Sequence, residues 1–194
     1  MEPAFESFAD KERTSYVDFF RESIAAMRAK PSFVTELLIQ PNGRQTPAPF
    51  CLMRVDGIYG GPTAPKIVRF AAPDSRSPIR RDFVIDGLAL RVEEFSWESL
   101  TIRFGSGSFQ IESLRPWLDL WLDPHEHKSP DKDGLSGVVH DLAWTQRGDS
   151  TLELCVDLGS APTQALREIL AAIRHSGITE CIMSRGDRNV TDDA

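Results

Sequence analysis

A chain of 194 residues, 41% of them hydrophobic, is long enough to bury one sizeable core. Its formal charge of -7 argues against a nonspecific nucleic-acid binder, whose affinity comes from counterions released by clustered Lys and Arg. The opening MEPAFESFADKER places acids where a secretion signal needs a basic flank and an apolar run. No stretch reaches the roughly 20 apolar residues of a membrane span, so a cytoplasmic protein with no membrane partner is expected.

The first dozen residues read as loose. A helix is predicted over residues 10–29, with Tyr16, Phe19, Phe20, Ile24 and Met27 as its apolar stripe, Lys11, Arg13 and Arg21 turned outward, and Pro31 as its stop. Residues 32–40, SFVTELLIQ, fit a helical face or a strand; the short run and the closing Pro-Asn-Gly favour the strand. Pro47 and Pro49 lead into a second strand, PFCLMRV. The loop IYGGPTAP is rich in glycine but lacks the spacing and the following helix of a phosphate-binding fingerprint, so it reads as a surface turn before another strand, KIVRFA.

From Gly87 to Phe104 the pattern is that of a hairpin, with Leu88, Leu90 and Val92 facing Leu100, Ile102 and Phe104. A short apolar helix follows over residues 113–122, with Ser113 as N-cap, Pro116 in its first turn, and Trp117 and Trp121 on its buried stripe. HEHKSPDKDG is a polar loop.

The clearest unit is C-terminal. In VVHDLAW and LELCVDL the even-numbered residues form one apolar face each, and a turn at QRGDS sets Thr145 opposite Thr151, His140 opposite Val156 and Trp144 opposite Leu152. Ser160 is placed to cap a helix over residues 161–175, with Pro162 in its first turn and Gly177 ending it in a left-handed conformation. Residues 178–183 form a last strand, parallel to the Leu152 strand through a crossover. The expected fold is α+β: a single domain over residues 1–184 in which one mainly antiparallel, locally mixed sheet of about six to eight strands is covered by two or three helices, ending in this β-β-α-β unit. Residues 185–194 read as a disordered polar tail, in which Arg185-Gly186-Asp187 and Asn189-Val190-Thr191 are chance matches to adhesion and glycosylation motifs.

Chemistry is harder to locate. Cys51, Cys155 and Cys181 are odd in number, lack metal spacing, and are expected as buried reduced thiols. Asp123, His125, Glu126 and His127 have the residue types of a zinc or iron site, but the His-x-His pair follows Pro124 in a lysine-containing loop with nothing to orient the rings, so no metal or cofactor is expected there. His140 sits beside Asp141, with Glu153 and Asp157 on the neighbouring strand; strict alternation sends His140 to the apolar face and the three acids to the other. His140 therefore reads as a core histidine with a backbone partner, and no catalytic residue is assigned.

Charge is divided along the chain. Residues 44–91 hold eight Lys and Arg against four Asp, whereas residues 92–141 hold ten Asp and Glu against four Lys and Arg and contain three of the four tryptophans. The favoured expectation is a soluble, non-enzymatic protein-binding module, such as an acidic inhibitor or immunity-like protein for a basic partner, with Glu94, Trp97, Glu98, Trp117, Asp119 and Trp121 as its contact residues. The alternative is a small-molecule enzyme or ligand-binding protein, a metal-dependent hydrolase included, with a pocket between sheet and helix and His140 and nearby carboxylates as its polar groups. Burial of Trp117 and Trp121 would remove the basis of the first.

Overall fold

The computed structural model describes residues 3–61, 63–72, 80–148 and 150–186. Asp149 of the hairpin turn, Asp187 and the Asn189-Val190-Thr191 match lie outside them, with most of the expected tail. The described chain is α+β, with three α-helices and two sheets rather than the one sheet expected. In chain order the elements are α1 (Pro3–Met27), β1 (Val34–Ile39), β2 (Met53–Tyr59), β3 (Lys66–Val68), β4 (Arg81–Ile85), β5 (Leu88–Val92), β6 (Leu100–Gly105), α2 (Arg115–Trp121, entered through a 3-10 turn), β7 (Asp141–Arg147), β8 (Thr151–Asp157), α3 (Thr163–His175) and β9 (Glu180–Arg185). β1, β2 and β3 form a small antiparallel sheet, and the other six form a mixed sheet in the order β4-β5-β9-β6-β8-β7.

Three expectations need correction. Residues 88–92 and 100–105 do share the apolar face of one sheet, but they are not a hairpin: β5 pairs with β4 across the Asp86-Gly87 turn, and β9 lies between β5 and β6. Side-chain alternation fixes which face a strand presents and says nothing about which neighbour it takes. The β7–β8 hairpin closes with Arg147 opposite Thr151, which sets Leu142 against Val156 and Trp144 against Leu154, two residues from the expected register. An even slip keeps every side chain on its face, so the alternation that excluded a slip of one could not exclude this one. Finally, α1 begins at Pro3 rather than Asp10, because Phe5, Phe8 and Ala9 extend its buried stripe onto Phe83 and Phe95.

The crossover was legible. β8 and β9 are each antiparallel to β6, which lies between them, so they run parallel and α3 carries the chain from one to the other. Leu166, Ile169, Leu170 and Ile173 are buried, and Gly177 takes a φ of 85° beyond the helix end. Ser160 does not cap α3; its hydroxyl accepts the Gly137 and Val138 N–H groups instead. Likewise Ser113 lies within the 3-10 turn rather than at an N-cap.

The helices line the apolar side of the large sheet, and its outer side carries exposed or ion-paired residues such as Val84, Arg91 with Asp82, and Glu153 between Arg103 and Arg147. α2 reaches α3 through tryptophan. Trp117 donates its indole N–H to Ala165 O at 2.8 Å, and Trp121 donates to Glu168 Oε2 at 2.7 Å. Both are buried, at 5% and 9% exposure, and they form structural contacts of the core. Trp117→Ala is therefore expected to cost about 3–5 kcal/mol in urea denaturation, whereas Asp119→Ala on the same helix, an exposed position, should stay within about 0.5 kcal/mol.

Candidate functional site

The site begins with a conflict in the small sheet. Thr35 pairs with Gly57 and Leu37 with Val55, so Glu36 and Asp56 stand opposite each other on adjacent strands, and both are buried. Two carboxylates so placed repel. Glu36 also holds a φ of 49°, a left-handed conformation that costs a non-glycine residue about 1–3 kcal/mol.

His140 resolves the conflict. It stands one residue before β7, held by its N–H to Asp157 O at 2.9 Å and by its carbonyl, which accepts the Arg54 N–H at 2.7 Å. The buried ring, 1% exposed, enters between the carboxylates: Nε2 is 3.0 Å from Glu36 Oε1, and Nδ1 is 3.0 Å from Asp56 Oδ1. Asp157 Oδ1 lies 3.9 Å from Nδ1. The two nitrogens are not held alike. Nε2 forms a directed hydrogen bond to Glu36, whereas the Asp56 oxygen lies off the Nδ1–H axis, leaving an ion pair without a well-aligned hydrogen bond. Phe20 packs edge-on against the ring, and Gly159, with a φ of 50°, comes so close that a Cβ there would overlap it.

Each acid is oriented by backbone. Glu36 Oε2 accepts from Ser136 N, Asp56 Oδ2 accepts a short hydrogen bond from Phe70 N, and Asp157 Oδ1 accepts from Gly159 N at 2.9 Å. Burial works to lower the pKa of His140, but Asp56, Glu36 and Asp157 outweigh it and hold the pKa well above the ordinary value. Beside it the buried Arg54 donates to three carbonyls, Leu122 at 2.8 Å, Glu36 at 2.6 Å and Asp123 at 2.7 Å.

Glu36 and Arg54 also belong to the wall of a groove of about 590 Å³, bounded by the end of α1, by β1 and by residues 126–136. Arg28, Glu126, Lys128 and Asp133 contribute charge higher up, and Ile24, Phe33 and Leu37 contribute apolar surface. Burial lowers the pKa of both Arg54 and Lys128, the latter lying 4.4 Å from the Trp121 ring centroid.

The residues singled out from sequence are placed differently. Trp97, Trp117, Trp121 and Glu98 are buried, Trp97 donating to Gly159 O at 2.9 Å, while Glu94 and Asp119 are exposed. His125 and His127 are exposed, and the Asp123 carboxylate accepts the backbone N–H groups of His127 and Lys128 at 2.9 and 2.8 Å. His140 is a core residue, as expected, but its partners are side chains. Alternation misplaced Asp157 because His140 precedes the strand proper and is free of its pleat. Glu36 and Asp56 were missed entirely; an acid inside an apolar strand run, in TELLI and RVDGIY, was the only available signal.

Two outcomes test this geometry. Gly159→Ala should cost about 2–5 kcal/mol by strain and overlap with the ring, whereas Gly148→Ala, at a similar φ of 62° but in open space, should cost about 1 kcal/mol. For Asp123, burial raises the pKa, but the Lys128 and His127 N–H groups and Arg54 outweigh it, leaving the value below 3.8. The stabilisation is thus present above the ordinary carboxylate pKa and lost as pH falls through the lower folded value. Asp123→Asn should cost about 1–3 kcal/mol at pH 7, and the gap to the native chain should close in acid.

No protein-family model matches this chain, and no curated protein or solved structure matches it either, so its candidate site stands on geometry alone.

Proposed function

We propose that the protein binds a small polar molecule in the groove beside Glu36. The supporting observation is that two buried ionic side chains, Glu36 and Arg54, lie in the wall of a 590 Å³ concavity. Pockets of this kind, with a few convergent charges among apolar walls, are where small ligands bind. Three acids, Glu36, Glu126 and Asp133, face three bases, Arg28, Arg54 and Lys128, so the balanced lining suits a neutral or zwitterionic ligand better than a strong anion.

The protein-binding module is the weaker reading. Its proposed anchors Trp97, Trp117 and Trp121 are buried with their indole N–H groups satisfied internally, which leaves Glu94, Asp119 and the half-exposed Leu120 without an aromatic hot spot. A thermal-shift screen against neutral and zwitterionic metabolites tests the groove. A ligand at a hundredfold its Kd should add about 2.7 kcal/mol of stability. Val34→Trp, at an exposed residue on the groove rim, should abolish that gain while leaving the unliganded protein folded. Hits that ignore Val34→Trp would overturn the groove. So would an absence of hits alongside salt-sensitive capture of a basic protein that is lost on charge reversal at Glu94 and Asp119.

A further inference from the structure

The two nitrogens of the His140 ring face different surroundings, and the Nδ1 side is built for a cation. Nδ1, Asp56 Oδ1 and an Asp157 carboxylate oxygen converge within 4.8 Å of one another. We propose that His140, Asp56 and Asp157 bind one first-row divalent metal ion, of the manganese or zinc type. The inference does not rest on the groove, which lies on the Glu36 side of the ring.

Two donors about 2.1 Å from one ion are about 3.0 Å apart at right angles and about 4.2 Å apart when opposite. The Nδ1 distances to Asp56 Oδ1 and Asp157 Oδ1, 3.0 and 3.9 Å, fall within that span. The second observation is the ring itself: a fully buried imidazole nitrogen without an aligned hydrogen bond points into the cluster. Its other nitrogen is held by Glu36, the carboxylate–histidine arrangement that fixes the tautomer of a metal-ligating histidine.

Phe70 N–H and Gly159 N–H orient the two aspartates in the same way. One imidazole and two carboxylates suit manganese or zinc, and three protein ligands leave positions open for water or another ligand. Asp157, at 21% side-chain exposure, gives that side access to solvent.

The experiment is a titration of EDTA-treated, dialysed protein with manganese chloride, the free ion read by electron paramagnetic resonance, and with zinc chloride, read by thermal shift. One equivalent should bind and raise the melting temperature. Asp157→Asn, at the least buried ligand, should fold and weaken binding at least tenfold, while His125→Ala/His127→Ala should bind as the native chain does. Failure of both ions to bind at millimolar concentration would overturn the proposal. So would binding that survives Asp157→Asn or disappears in the double alanine variant.

Discussion

One imidazole ring between two carboxylates is the constraint on which the rest of the structure depends. Glu36 and Asp56 face each other across β1 and β2, and His140 comes from the residue just before β7, the edge strand of the other sheet. Each buried ion costs several kcal/mol to desolvate, and removing one partner from such a set typically costs 3–5 kcal/mol because the others are left uncompensated. The small sheet is therefore tied to the large one by charge as well as by packing, and the tie is reinforced by the backbone bond from Arg54 N–H to His140 O. Two buried carboxylates or a strained glutamate would each be unfavourable alone; around one ring they determine each other's positions.

Arg54 extends the same logic to α2. Its guanidinium spans the carbonyls of Leu122 and Asp123, just past the end of that helix, and the carbonyl of Glu36. A cation at a helix C-terminus meets unpaired carbonyls and the negative end of the dipole. Through this one side chain the strained turn of β1 and the exit from α2 are fixed together. The loop that leaves α2 then runs along the groove, with the Asp123 carboxylate pinning its first turn at His127 and Lys128.

How much of this could be read from sequence follows from the range of the interactions. β8 and α3 were legible because their signals are local: an alternating run, a stripe at helical spacing, a glycine just beyond the helix. Strand neighbours were not, since Leu88–Val92 and Leu100–Gly105 present equally apolar faces whether adjacent or separated by β9. The site is the extreme case. His140 and Glu36 are 104 residues apart, and Asp56 belongs to a different strand again, so no spacing rule brings them together. What the sequence did carry was the anomaly of acids within apolar strands, whose significance depends on a cation that only the fold supplies.

The acidity of the chain takes on a different meaning in this light. Read along the sequence, the acidic middle with its tryptophans suggested a surface; in the fold Trp117 and Trp121 join α2 to α3, Trp97 ties the β5–β6 connection to the loop at Gly159, and three of the acids that matter converge on one ring from outside that segment. That ring has a groove-lining acid on one nitrogen and two aspartates on the other. A tighter hold of Glu36 on Nε2–H makes Nδ1 more basic and a better donor, and a looser hold does the reverse. A ligand held against Glu36 in the proposed groove would thereby be coupled, through a single conjugated ring, to an ion held among Asp56, His140 and Asp157, and by linkage the coupling would act equally in both directions.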